Sequence, residues 1–170
     1  GPPEGLADRA ARILAEDAVW DISAPVGQLT GRGAIVEGLL KPLSAALPHL
    51  ARRDEIFIGG DNIREEGGQW VAAVTHYVGN FRGGLWGIPP SNHLVFLRAG
   101  EFYRVEDGQI TKARIILDLP DLMRQAGLKV YAAREGVGTE MLFPGPATHD
   151  GVLPTAVSRS KASLDLVEHM

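Results

Sequence analysis

Hydrophobic positions near the start of this chain follow a helical spacing. The first 50 residues carry two runs in which apolar side chains recur every three or four residues, namely Leu6, Ala10, Ile13, Leu14 and Ala18, then Ile35, Leu39, Leu43 and Leu47. Such spacing predicts two amphipathic helices, of which the first ends near Trp20 and is followed by a short strand. Pro42 lies inside the second run and predicts a kink in that helix.

The next hundred residues change to a pattern typical of strands. Four runs rich in β-branched and aromatic residues are separated by turns that contain Gly, Asn or Asp, and they cover residues 56–58, 70–81, 94–105 and 110–117. Short turns at Glu66-Gly67-Gly68 and Asp107-Gly108 predict hairpins, and a last short helix is predicted from Leu119 to Ala126. Helices followed by a bent, mostly antiparallel sheet predict an α+β fold whose concave side encloses a cavity.

Beyond residue 128 the pattern becomes irregular. Residues 129–170 are rich in Gly and Pro, and a helical spacing returns only from Ser158 to Met170. We therefore expect one domain over residues 1–128 and an irregular extension that ends in a helix. That helix could open a second domain, or it could dock on its own domain or on a partner.

Composition excludes several functional classes. The formal net charge is −4 and Lys and Arg are scattered singly, so neither nucleic acid nor an anionic membrane surface is an expected partner. The chain has no cysteine, which excludes thiolate catalysis, and its five histidines are too dispersed to show a metal-ligand spacing. Because no export signal or membrane-length apolar run is recognisable, we predict a cytoplasmic protein.

The end of the last predicted strand carries the strongest candidate for chemistry. Alternation places Arg114, Ile116 and Asp118 on one face. If that face lines the cavity, Asp118 is a candidate general acid or base, and His76 is a candidate to donate a hydrogen bond to an enolate oxygen or to carry a proton. The alternatives are a carboxylate that caps the following helix and a histidine bonded within the core.

Five further side chains are candidates for contact with a ligand. Trp20, Tyr77 and Trp86 are large aromatics that suit the walls of a pocket, although ordinary core packing would also explain them. Glu101 lies on the opposite strand face from its charged neighbours, which makes it a pocket candidate. Arg114 would anchor a carboxylated ligand if its face of the strand lines the cavity.

Several short motifs, in this order, resemble the SnoaL-like polyketide cyclase family. They are Thr75 to Phe81 (THYVGNF), Gly87 to Pro90 (GIPP), Phe102 to Ile110 (FYRVEDGQI), Asp118, and Leu122 to Gly127 (LMRQAG). The resemblance implies a cone-shaped α+β barrel in which the curved sheet wraps around the N-terminal helices. It also implies a homodimer that pairs through the sheet, and an aldol closure by acid–base chemistry without metal or organic cofactor, with Asp118 and His76 matching the family's catalytic aspartate and histidine.

The resemblance leads us to expect a cofactor-independent lyase or isomerase that acts on a small carbonyl compound. Two positions depart from the family pattern: Arg114 replaces an aromatic residue four positions before the aspartate, and His49 replaces an acidic residue after Pro48. A cation at position 114 suggests an anionic ligand. The alternative is therefore a non-catalytic domain that binds a hydrophobic or carboxylated small molecule, and a third class is an assembly domain.

Overall fold

The computed structural model describes residues 5–62, 67–130 and 157–170, which form helices and strands in an α+β arrangement. The helices are α1 (Leu6–Ile13), α2 (Arg32–Ile35), α3 (Lys41–Ala46), α4 (Leu119–Gln125) and α5 (Ser160–Glu168), with a π-helical turn (Val36–Leu40) before α3 and a 3-10 turn (Val157–Arg159) before α5. The strands are β1 (Leu14–Ile22), β2 (Gly27–Thr30), β3 (Ala51–Asp61), β4 (Gln69–Asn80), β5 (Leu94–Glu106) and β6 (Gln109–Leu117).

The six strands form one sheet in the order β2-β1-β6-β5-β4-β3. Strands β1 and β6 are parallel, and every other neighbouring pair is antiparallel. The central pair, β4 and β5, stays in register over the whole length of β4. The prediction of an α+β fold with a mostly antiparallel sheet is therefore confirmed.

The first helix is shorter than the sequence predicted. It ends at Ile13, and the next nine residues form β1, in which Trp20 lies opposite Ala113 of the parallel strand β6. The prediction that the helix continues through Ala18 is wrong. Residues four apart, such as Leu14 and Ala18, share a face in a strand as well as in a helix, so their spacing fits both structures. Residues 14–22 form a strand because they pair with β6, which is remote in sequence.

The second helical run is irregular at the place where the sequence predicts a kink. Pro42 cannot donate a backbone hydrogen bond, and the π-helical turn lies directly before it. At the end of that turn the amide of Lys41 donates to the carbonyl of Val36, five residues back. Proline and single π-helical turns are both identifiable causes of helix kinks.

The hairpin between β5 and β6 confirms the predicted turn at Asp107-Gly108. Both residues have positive φ, 49° and 77°, and Glu106 pairs with Gln109 across them. Positive φ at both central residues defines the type I′ turn, whose twist matches that of the flanking strands. The predicted helices after Leu119 and near the end of the chain are also present, whereas most of the predicted Gly- and Pro-rich segment lies outside the described residues.

The sheet has two faces with different environments. The inner face packs against α2, the π-helical turn and α3, and together with them it forms the hydrophobic core around Trp20, Leu97 and Ile115. Residues 81–88, in the loop after β4, contribute further buried side chains, namely Phe81, Leu85 and Ile88. The outer face carries exposed apolar residues such as Ile116. In the described part of the chain, no helix combines the length and the apolar character needed to cross a lipid bilayer.

Candidate functional site

A cavity of about 700 Å³ lies between the inner face of the sheet and the N-terminal helices. We call it the interior cavity. Most of its wall is apolar and comes from Leu6, Leu14, Leu39, Leu43, Ile115 and Leu117. Ile13 and Phe57 also line it, yet they are 53% and 47% exposed, which places them at its mouth. A cavity of this size can enclose a small organic molecule.

Four polar side chains meet at one part of the cavity wall because of the strand register. Arg52 of β3 lies opposite Tyr77 of β4, so both project from the inner face side by side. Glu101 and Tyr103 of β5 are two residues apart and therefore share the same face. Arg52, Tyr77 and Tyr103 line the cavity, whereas Glu101 lies behind them and is fully buried. We call these four residues the polar cluster.

The Glu101 carboxylate is the centre of the polar cluster. The Nη1 atom of Arg52 lies 2.6 Å from Glu101 Oε2, and the hydroxyl of Tyr77 donates to Glu101 Oε1. A second acid, Asp54, accepts a hydrogen bond of 2.7 Å from Arg52 Nε. Burying a carboxylate is costly unless it is paired and hydrogen-bonded. The ion pair with Arg52 and the hydrogen bond from Tyr77 offset that cost.

The surroundings of Tyr77, Tyr103 and Arg52 determine the protonation states of these three side chains. Burial raises the pKa of the Tyr77 phenol above its ordinary value, and the neighbouring Tyr103 and Glu101 raise it further. Burial and the contact with Glu101 likewise raise the pKa of Tyr103. Burial opposes the charge of Arg52, but the interactions with Glu101, Tyr77 and Tyr103 together outweigh it, and the pKa of Arg52 is raised. Both phenols therefore stay neutral and Arg52 stays charged at neutral pH.

Trp20 adds an unused hydrogen-bond donor to the cavity wall. Its indole ring lines the cavity and lies 5.8 Å from the Tyr103 ring, centroid to centroid. The residue is only 4% exposed, and its Nε1 atom has no hydrogen-bond partner among the described residues. A buried N–H without an acceptor costs free energy. Such a group is a candidate to donate a hydrogen bond to a ligand oxygen.

Three of the seven predicted site residues belong to this part of the molecule. Trp20 and Tyr77 line the interior cavity, and Glu101 lies directly behind Tyr77. Trp86 does not line it, contrary to the prediction, because it lies in a tight turn between Leu85 and Ile88, where its φ is 45°. It packs instead, half-buried, against the edge of the core.

Arg114 also lies elsewhere than predicted. Its neighbours Ala113 and Ile115 are buried on the inner face, so alternation turns Arg114 to the outer face. There its guanidinium lies 5.9 Å from the centroid of the Trp70 ring. The expectation that Arg114 anchors a carboxylate in the cavity is therefore wrong.

Asp118 and His76 both lie beside Arg98, but not in the interior cavity. Asp118 accepts a hydrogen bond of 2.6 Å from Arg98 Nη2 and caps α4 by accepting a hydrogen bond from the amide of Asp121. With Glu55 and Arg98, it lines a hollow on the outer face. The expectation that Asp118 and His76 project into the cavity is wrong, because the inner positions of β4 and β6 belong to Tyr77 and Leu117.

His76 has its own partner beside that hollow. A register shift between Asp54 and Ile56 turns Glu55 to the outer face, where its Oε1 lies 3.6 Å from His76 Nδ1. Burial lowers the pKa of His76, and the charge of Arg98 lowers it too, whereas Glu55 partly opposes the shift. His76 is therefore a buried, neutral histidine. Across the described residues, no three His, Asp or Glu side chains are grouped so as to hold a metal ion.

Two cavity residues, Arg52 and Tyr103, were missed in the sequence. Tyr103 could have been found, because it lies two positions after Glu101 and alternation gives the two the same face. Arg52 carried no such signal, because its place beside Glu101 depends on the pairing of β3 with β4 across 25 residues of sequence. That pairing is a property of the fold and not of the local pattern.

Comparison with known proteins identifies the family and the fold. The family model for SnoaL-like polyketide cyclases matches residues 4–126, and no curated protein matches the chain. Among solved structures, IdmH from Streptomyces antibioticus, a proposed polyketide cyclase, has a TM-score of 0.59 and 20% identity, over 73% of this chain and 88% of that one.

Two further structures share the architecture. TsrD from Streptomyces laurentii has a TM-score of 0.58 and 17% identity, over 74% of this chain and 86% of that one. A proposed SnoaL-like polyketide cyclase from Jannaschia sp. CCS1 has a TM-score of 0.55 and 18% identity, over 71% and 77%. At these identities the structures show a common fold only. Together with the match over residues 4–126, they show that the chain belongs to the SnoaL-like polyketide cyclase family.

Proposed function

We propose that the protein is a cofactor-independent lyase or isomerase that performs acid–base chemistry on a small carbonyl compound in the interior cavity. The observation that supports this most strongly is the fully buried Glu101 carboxylate, which is hydrogen-bonded to a phenol on the cavity wall. A buried ionisable group with a specific partner beside a cavity is typical of functional sites. We assign the chemistry to the polar cluster instead of Asp118 and His76, since those two do not line the cavity.

The hydrogen bond between Tyr77 and Glu101 provides a route for a proton. A proton leaves the carbon next to the substrate carbonyl and joins the Tyr77 oxygen, while the phenolic proton moves to Glu101. The C–H electron pair becomes the enolate, and Tyr77 never becomes a phenolate, which agrees with its raised pKa. Positioned proton transfer of this kind contributes about 10²–10⁴-fold to a rate.

The second half of the reaction returns the same proton. In an aldol closure the enolate carbon attacks a second carbonyl of the same molecule, and the new alkoxide takes the proton from Tyr77 as Glu101 gives back its own. In an isomerisation, the proton returns to a different carbon. The Trp20 N–H can hold the enolate oxygen meanwhile, because no other described group uses it.

The test uses exchange of carbon-bound protons, since it requires only the first half of the reaction. β-Tetralone, an apolar ketone with acidic C–H bonds, is incubated with the protein in D₂O, and the loss of its proton signals is followed by NMR. We expect exchange above the buffer rate, and we expect Glu101→Gln and Tyr77→Phe to reduce the protein-dependent rate by about 100-fold. Glu106→Gln, which changes a surface acid of the same strand, is the matched control.

The same experiment separates the polar cluster from the residues that the resemblance suggested. Full exchange by a folded Glu101→Gln variant, together with loss of exchange in Asp118→Asn, would contradict our assignment. Asp118 and His76 on the outer face would then be the candidate catalytic residues. Thermal unfolding of each variant shows whether it is folded. Loss of exchange in Glu101→Gln with retention in Asp118→Asn is the result that we expect.

The second candidate function is a non-catalytic domain that binds a hydrophobic molecule. It is favoured by the resting geometry, in which Arg52 and Tyr77 occupy one oxygen each of the Glu101 carboxylate. Binding of apolar ketones without any protein-dependent proton exchange would support this candidate over the enzyme. A homodimer and a cytoplasmic location stay predictions under either function.

A further inference from the structure

We propose that the interior cavity selects a ligand with an uncharged oxygen, which accepts a hydrogen bond from Trp20 Nε1, and that it discriminates against carboxylates. The inference deepens the proposed function, on which it rests for the cavity's role as the substrate site. It names the chemical class of ligand and the side chain that recognises it. It also reverses the expectation of an anionic ligand that the sequence suggested through Arg114.

Two members of the polar cluster, Tyr77 and Arg52, already contact carboxylates. The Tyr77 hydroxyl donates to Glu101. Arg52 donates through Nε to Asp54 and approaches Glu101 through Nη1. The indole N–H of Trp20 is different, because it is buried on the cavity wall and none of the described residues accepts from it. No existing contact uses this N–H, so a small turn of the indole ring toward the cavity would let a ligand oxygen accept from it without breaking another hydrogen bond.

The charges around the cavity oppose an anion. Arg52 carries one positive charge, and the carboxylates of Asp54 and Glu101 both lie against it. This group of three therefore has a net charge of −1, and Glu101 is completely removed from solvent. His49 also lines the cavity, but it is exposed to solvent. A ligand carboxylate would be repelled and would also lose its hydration, whereas a neutral carbonyl would not.

Three aromatic probes of matched shape test the proposal on the full chain. They are methyl naphthyl ketone, which has a neutral oxygen, naphthoate, which has a carboxylate, and ethylnaphthalene, which has no oxygen. Binding is measured by calorimetry at neutral pH, and the indole N–H resonance of Trp20 is followed by NMR. We expect the ketone to bind about tenfold more tightly than naphthoate, and we expect only the ketone to shift the Trp20 resonance downfield.

Substitution of Trp20 provides a second test of the proposal. Trp20→Phe removes the N–H and keeps an aromatic ring, so ketone affinity should fall by about 3- to 10-fold, to the level of ethylnaphthalene. Trp70→Phe is the matched control, because the Trp70 N–H already donates to the Gly67 carbonyl on the outer side of the sheet. Ketone binding should not change in that variant.

Several results would overturn the proposal. They are naphthoate affinity equal to or above that of the ketone, ketone affinity unchanged in Trp20→Phe, and no downfield shift of the Trp20 resonance at saturating ketone. A failure of the proposed function gives a different result. If the protein binds the ketone selectively but does not catalyse proton exchange, the inferred ligand class stands and the proposed enzymatic function is rejected.

Discussion

At the scale of single residues, the ion pair between Arg52 and Glu101 connects the stability of the protein to its cavity. Arg52→Met would leave a buried carboxylate without its cation. Such a loss costs about 3–5 kcal/mol for a fully buried pair. Because the Arg52 side chain is 31% exposed, we discount this and expect a loss of about 2–3 kcal/mol in the free energy of unfolding.

A double-mutant cycle isolates that interaction. The single variants are Arg52→Met and Glu101→Leu, and urea unfolding gives the free energy of each variant and of the combination. We expect the double variant to lose less stability than the sum of the two single variants, because neither charge then remains without its partner. Additive losses would show that Arg52 does not stabilise Glu101.

The two cavity phenols predict a specific alkaline behaviour. An unfolded tyrosine ionises near pH 10, and the folded pKa values of Tyr77 and Tyr103 are raised. Their contribution to stability is therefore complete below about pH 10, and it is lost as the pH rises from there toward the folded pKa values.

Near-ultraviolet absorbance measures this ionisation directly. We expect Tyr77 and Tyr103 to form tyrosinate only when the protein unfolds, and the free energy of unfolding to fall above about pH 10. The variants Tyr77→Phe and Tyr103→Phe assign the signals among the chain's three tyrosines. Reversible ionisation of both phenols near pH 10 in the folded protein would contradict their burial against Glu101.

At the scale of elements, the alternation of side chains was readable from the sequence, but the direction of each face was not. Arg114 and Ile116 do share a face of β6, and Asp118, which follows the strand, lies on the same side as predicted, yet that side is the outer one. The opposite face carries Ala113, Ile115 and Leu117, which are all apolar and could have indicated the core side. In β4 the inner residues Thr75 and Tyr77 are no more apolar than their outer neighbours, so the sequence did not distinguish the two faces.

Parallel pairing is the other property of the elements that the local pattern did not reveal. The change from α1 to β1 at Leu14 depends on β6, which lies about a hundred residues later. The β5–β6 hairpin was predictable, in contrast, because its turn is specified by the adjacent Asp107 and Gly108.

That turn gives a prediction at the scale of elements. Gly108 has a φ of 77°, so Gly108→Ala should cost about 1–2 kcal/mol of stability through backbone strain. Gly100, inside β5, has open space where a methyl group would lie and no positive φ, so Gly100→Ala should be neutral or slightly stabilising. Urea unfolding compares the two variants. Equal effects would contradict the type I′ assignment.

At the scale of the whole molecule, the family match covers residues 4–126, close to the domain predicted over residues 1–128. The boundary itself stays a prediction, as does a second domain after it. The sequence was sufficient for the family and fold class because these depend on many short motifs at once. The cavity residues could be identified only from the strand pairing in the folded sheet.

The outer face bears on the predicted homodimer. Ile58, Phe102 and Ile116 are exposed on it, and exposed apolar side chains on a sheet often mark an interface. We expect a dimer mass in light scattering, and we expect Ile116→Lys to shift the protein to monomer. Ile13→Lys, at the cavity mouth, is the matched control and should leave the mass unchanged. A monomeric parent protein, or a dimer that survives Ile116→Lys, would contradict pairing through this face.

The central claim is that ligands bind in the interior cavity and not in the outer-face hollow beside Asp118. Intermolecular NOEs between methyl naphthyl ketone and the isotope-labelled protein test it most directly. We predict NOEs from the ketone methyl group to the rings of Trp20 and Tyr103. NOEs to Val74 and Ile116 of the outer hollow, with none to those rings, would contradict the claim.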